Sequence, residues 1–254
     1  MRIRTRIAAA VGAVAAASAA GIAVAAMAAP ASDRTAPEPE EVLLAQGSDH
    51  LPSVTAADWV TYADHVIVVE AVSEEVIEPD AEALERGEGL IGRTVSLTVE
   101  DVLWSREGAP QAAPETWEYS ALGWHFNAES EEPIEMALDG FPRVEVGHRY
   151  VMAIRWEEAV CTEGGDHRPA QWRGLGEGSE IPFDDGTIGN GESEGTVKDA
   201  AAFAADADVH VDEGVEEILA GEGADELVAA LEDAKPDEAA LSEVQALTAA
   251  NSCD

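Results

Sequence analysis

The chain of 254 residues carries 52 Asp+Glu against 14 Lys+Arg, a formal charge of −38 at pH 7. That balance excludes general affinity for nucleic acid, whose phosphates need a basic face, and argues against docking on anionic lipid headgroups. Hydrophobic residues reach 46% but aromatics only 5%, which is core material for one compact domain of about 150 residues plus appendages. Lys198 and Lys235 are the two lysines and all other basic residues are arginine, as in a salt-adapted exterior or a GC-rich coding sequence.

Residues 1–28 read as an export signal. Arg2, Arg4 and Arg6 form a basic start, Ile7 to Met27 is uncharged and apolar, and Ala26-Met27-Ala28 offers a small-x-small cleavage site. The competing reading is an uncleaved signal anchor. No membrane insertion is expected once the signal is cleaved, and the localisation implied is secreted or cell-surface. Residues 29–52, with Ala36-Pro-Glu-Pro-Glu-Glu41, read as a disordered acidic Pro-rich spacer.

Ser53 to Ala63 predicts a short capped helix carrying Trp59, Val60 and Tyr62 into the core. His65–Val72 is apolar on both faces for four residues, as a central strand would be. Glu74–Gly92 reads as an acidic, Gly-rich excursion. In Gly92–Trp104, Val95, Leu97 and Val99 alternate with Thr94, Ser96 and Thr98, then the phase moves to Val102 and Trp104. One extra residue shifts faces in this way, so a β-bulge is expected at Glu100-Asp101.

Thr116–Phe126 alternates Trp117, Tyr119 and Ala121 and breaks at Gly123, while Glu129–Gly140 reads as an acidic loop. In His148–Trp156, Tyr150, Met152, Ile154 and Trp156 share one face, and Arg149, Val151, Ala153 and Arg155 the other. Glu157–Arg173 is read as a loop and Glu180–Phe183 as a short strand. Beyond Lys198 the spacing turns helical, with apolar stripes at Val215/Ile218/Leu219, Leu227/Val228/Leu231 and Leu241/Val244/Leu247.

The run from Ala63 to Val72, then Val95 to Trp104, then Val146-Gly-His-Arg-Tyr-Val-Met-Ala-Ile154 resembles the strand order of netrin-like domains of the tissue-inhibitor type, which are OB-like barrels. It is also similar to a group of exported actinobacterial proteins. The resemblance covers roughly residues 55–195 and implies a binding module. It does not carry metalloprotease inhibition over, because that depends on an N-terminal cysteine and the mature start has none. The expected fold is mainly β (α+β): a small OB-like β-barrel or sandwich over residues 53–197, followed by a C-terminal α-helical appendage over residues 198–254.

Several residue groups bear on chemistry. Gly87-Glu-Gly-Leu-Ile-Gly92 spells a dinucleotide fingerprint, but it leads into a strand and Glu88 would repel phosphate, so it reads as a hairpin entry. Cys161 and Cys253 are the two cysteines; outside the cytoplasm such a pair forms a disulfide, with two free thiols or a Cys161/His167 metal pair as the alternatives. Asp206, Asp208, His210 and Asp212 would share one face of a strand and could hold a divalent cation, against the plainer reading of a solvated face. Asp184–Glu192 has calcium-loop ingredients at the wrong spacing. No cofactor is expected beyond a possible divalent cation, and no nucleophile motif or zinc signature is present in the sequence.

Trp124, Arg149, Arg155, Trp172 and Arg173, with His125, mix arginine and aromatic side chains in an acidic chain. Such groups anchor interfaces and grip carboxylates or sugars; the plainer reading is tryptophan in the core and arginine paired with glutamate. The expected function is a non-enzymatic binding module for a protein or cell-envelope ligand. The alternatives are a cation-dependent structural protein and a secreted hydrolase with a carboxylate site.

Overall fold

The computed structural model describes residues 42–47, 49–128, 132–161, 167–206, 214–251 and Cys253. The signal segment and most of the spacer lie outside the described residues. Leu43–Ala45 (β1) does not. It pairs in parallel with Ile134–Leu138 (β5), so part of the expected spacer is a sheet edge. The apolar Val42-Leu-Leu-Ala45 run supplies a strand that composition averaged over the acidic segment conceals. No helix of the described residues is long and apolar enough to cross a membrane.

Ala56–Tyr62 (α1) opens with a reciprocal cap: Asp58 N–H donates to Thr55 Oγ1 and Thr55 N–H donates to Asp58 Oδ2. It buries Trp59, Val60 and Thr61, and the Trp59 indole N–H donates to Ser53 O at 2.6 Å. His65–Ile77 (β2) is the central strand, flanked by Glu88–Ser105 (β3) and Arg149–Glu157 (β6). The excursion expected between β2 and β3 is mostly regular. β2 runs on to Ile77 as an exposed ribbon, and Ala81–Arg86 (α2) is started by Asp80 and stopped by Gly87 at φ 77°. The Gly87–Gly92 run is therefore the turn from α2 into β3.

β3 carries the expected bulge: its pairing with β2 passes from Asp101 to Val99 and leaves Glu100 out. A second slip omits Leu103. Trp104 packs with the helical side, while Val102 stays exposed. Thr116–Asn127 (β4) also slips where predicted, with Gly123 unpaired. A Cβ there would collide with Ile91 O, so the bulge requires glycine. The predicted acidic loop before Gly140 contains β5, which buries Met136 and Ala137.

The expected loop before Arg173 holds a two-strand pair, Val160–Cys161 (β7) and His167–Arg168 (β8), and then Gln171–Gly174 (β9). β9 and Glu180–Pro182 (β10) both line the free edge of β6, so they form one edge strand interrupted by a 3₁₀ turn at Glu177–Ser179. Gly191–Ser193 (β11) and Thr196–Lys198 (β12) form a separate hairpin.

The main sheet is mixed, eight-stranded and open, in the order β1-β5-β4-β3-β2-β6-β10 with β9 beside β10. No closed barrel forms among the described residues, which corrects the expected OB-like barrel. The bulges and twist curl the sheet, but β4, which β5 pairs only at Trp124 and His125, forms no ladder with β9 or β10. Its inner face encloses one core of Ile67, Val69, Val95, Leu97, Trp117, Tyr150, Met152 and Ile154.

The outer face is covered by helices: Ala200–Asp206 (α3), Val215–Leu219 (α4), Ala224–Asp233 (α5) and Glu238–Asn251 (α6). Phe203, Val215, Leu219, Leu227 and Leu231 join Trp59, Val66, Val68, Val151 and Ala153 in a second core. The helical tail is therefore a layer of the domain more than an appendage. Ile218, expected in the buried stripe, is 61% exposed. The two faces predicted for β6 separate as expected, one into each core.

Candidate functional site

The curl brings β4 opposite the β9–β10 edge, and side chains span the gap that backbone pairing leaves. Tyr119 donates its hydroxyl hydrogen to Glu180 Oε2 at 2.7 Å, and Glu180 is buried. Trp117, two residues along the same face, meets Tyr119 edge-on with centroids 5.3 Å apart. Across the seam Trp172 packs edge-on against Trp156 at 5.3 Å and tilts toward His65 at 5.4 Å. His65 is itself held, Nδ1 at 2.8 Å from Ser105 Oγ and Nε2 at 2.9 Å from Gln111 O.

Trp117, Tyr119, Trp172 and Glu180 line a cleft of about 250 Å³ whose walls also include Ser120, Gln171 and Asp49. Gly174 keeps it open: a Cβ there would stand 2.9 Å from Glu180 Oε1 and 3.8 Å from Trp117.

The five arginine and tryptophan candidates do not form one surface. Trp172 lines the seam cleft. Arg173, next along β9, lines the same cleft and ion-pairs with Glu157 at 2.9 Å. Arg149 pairs with Glu100 at 2.8 Å, so it holds the bulge residue of β3. Trp124 lies under the Arg143 guanidinium, 5.1 Å from ring centroid to Cζ. Arg155 lies on a second hollow of about 520 Å³ with Asp64, Arg106, Trp156 and Leu241; among the described residues its side chain makes no ion pair or hydrogen bond. Six residues along one strand span roughly 20 Å, so Arg149 and Arg155 belong to different neighbourhoods.

The acidic candidates are used internally or fall elsewhere. Asp206 ends α3, a helix in place of the expected strand, and Asp208, His210 and Asp212 lie outside the described residues. Asp184 accepts from Arg149 N–H at 2.8 Å and sits 2.6 Å from His148 Nδ1. Glu192 is buried and accepts from the N–H groups of Arg143 and Val144 at 3.0 Å each, from Gly195 N–H at 2.7 Å and from the Tyr150 hydroxyl at 2.7 Å. Successive N–H groups gripping a carboxylate form an anion nest, here filled by the chain itself. Burial and then Glu192 push the Tyr150 hydroxyl far above its ordinary value, so it stays a donor.

Sequence reasoning missed the buried pair Arg93 and Arg143. Arg93 donates to Leu122 O at 2.8 Å, to Glu74 at 2.7 Å and to Arg143 O. Arg143 donates to Met136 O and Gly123 O at 3.0 Å each, and ion-pairs with Glu145. Burial, then the charge of Arg93, lowers the Arg143 pKa. The signal for Arg93 was present, since it continues the Val95, Leu97, Val99 face by one step.

Cys161 and Cys253 are joined by a disulfide, with Cα atoms 5.0 Å apart. The bond ties the end of the helical layer to the β7–β8 pair, where Cys253 N–H also donates to Ala159 O at 3.2 Å. No family model, curated protein or solved structure matches this chain.

Proposed function

We propose that the protein is an exported binding module whose seam cleft takes one ring of a saccharide, as a cell-envelope glycan would present it. The observation that carries this reading is the cleft itself: Trp117, Tyr119 and Trp172 beside Glu180, Gln171 and Ser120. Sugars offer apolar C–H faces and hydroxyls together, and aromatic rings with a few fixed polar groups answer both. The supporting groups are pre-set, since Tyr119 and Glu180 hold one another and Trp172 is wedged between Trp156 and His65. The leader sequence and the disulfide support export.

Two measurements test the reading. Tryptophan fluorescence is titrated with a panel of neutral and amino oligosaccharides, using the intact mature chain and Trp172→Ala. Saturable quenching that Trp172→Ala removes supports the site; a flat response across the panel removes it. The N-terminus of protein recovered from culture medium is then sequenced, and a start at Ala29 supports export with cleavage.

A further inference from the structure

Cys161 and His167 are register partners across the β7–β8 pair, and Cys161 Sγ lies 3.2 Å from His167 Nδ1. Cys253 arrives from beyond α6, and the ligand atoms of all three residues lie within 4.8 Å of one another. A disulfide needs no imidazole beside it, yet one is fixed there by strand register. Two thiolates and an imidazole are a ligand set that zinc favours, with Zn–S near 2.3 Å and Zn–N about 2.0 Å. Ligand atoms around such a tetrahedral ion stand about 3.3–3.8 Å apart, so once the bond is reduced the two sulfurs part and the imidazole adjusts, each by a movement on the order of 1 Å.

We infer that the Cys161–Cys253 disulfide and a zinc site are alternative states of the same three side chains. A dithiol reductant gives two electrons and two protons to the bond, becoming a cyclic disulfide and leaving two thiols. Zinc then binds both sulfurs as thiolates, releasing the two protons to solvent, and takes His167 Nδ1 as third ligand. Water fills the fourth position, because His167 and Cys253 are exposed. In either state the end of the helical layer remains fastened to β7–β8. The site reads the redox condition of its surroundings as a change of cross-link.

The test uses the intact mature chain, reduced anaerobically with a phosphine, and cobalt(II) as the spectroscopic stand-in for zinc. Excess magnesium is present to occupy the many carboxylates, which prefer hard ions and do not compete for thiolate. The reduced protein should take up one cobalt, with visible tetrahedral bands and a sulfur charge-transfer band that zinc then removes. The oxidised protein should show neither. His167→Ala, at an exposed position, should weaken cobalt binding by more than about tenfold, the scale that even an outer-shell partner carries. Cys253→Ser should lose part of the charge-transfer intensity. Absence of tetrahedral bands in the reduced protein overturns the inference, and so does equal affinity in His167→Ala.

Discussion

The hydroxyl of Tyr119 on β4 donates to the carboxylate of Glu180 on β10 at 2.7 Å, joining two strands that share no backbone ladder. Tyr119→Phe leaves a buried carboxylate short of a donor, which costs about 1–3 kcal/mol. Urea unfolding should show that loss as a lower midpoint with an unchanged slope. A variant as stable as the wild type would mean the seam is held by its aromatic packing alone.

Val144 is fully buried with φ at 61°, a left-handed conformation that a β-branched residue rarely adopts. Its N–H is one of the donors to Glu192, so the strain is held in place by the nest. At an ordinary position glycine is less stable than alanine by roughly 0.5–1 kcal/mol. Here the order should reverse, with Val144→Gly unfolding at higher denaturant than Val144→Ala. The usual order would show that the backbone relaxes when the side chain shrinks.

Glu216 on α4 has its pKa pushed up to about 7 by burial and then by Glu217, from an ordinary 4.5. The folded state holds this proton more tightly than the unfolded chain. The contribution is therefore complete below pH 4.5 and is lost as pH rises to about 7. Glu216→Gln should be more stable than the wild type at pH 8, and the difference should shrink steadily toward pH 4. Parallel curves of midpoint against pH for the two proteins would contradict the assignment.

The Cys161–Cys253 bond spans 92 residues of sequence. A loop of that length restricts the unfolded chain by about 4.6 kcal/mol in the chain-entropy model. Cys161→Ser with Cys253→Ser should lower the denaturation midpoint accordingly, measured in metal-free buffer. A change near zero would place the compensation in residual order of the unfolded chain.

Much of the sheet was legible because period-2 alternation survives wherever one face is buried. Val95–Val99, the two faces of β6 and the Glu100 bulge all follow from it. The openness of the sheet was not legible, because closure depends on whether β4 and the β9–β10 edge come within pairing distance, a property of accumulated twist. β1 and β5 were hidden by acidic surroundings, since β1 pairs with β5 across a long sequence separation and β5 meets β4 at only Trp124 and His125. The site residues were found by type but not by place. Trp172 was chosen for its chemistry, yet Tyr119 and Glu180, which share its cleft, come from separate strands with no local signature joining them. The disulfide was legible from the cysteine count and the export expected from the leader sequence.

The same bond has a topological consequence for how the protein meets proteases. Residues 161–253 form a covalently closed ring that contains β9, β10, the β11–β12 hairpin and most of the helical layer. A single cut within that ring divides the chain without dividing the molecule. A nicked sample therefore runs as one species until a reductant is added, when it separates into two pieces.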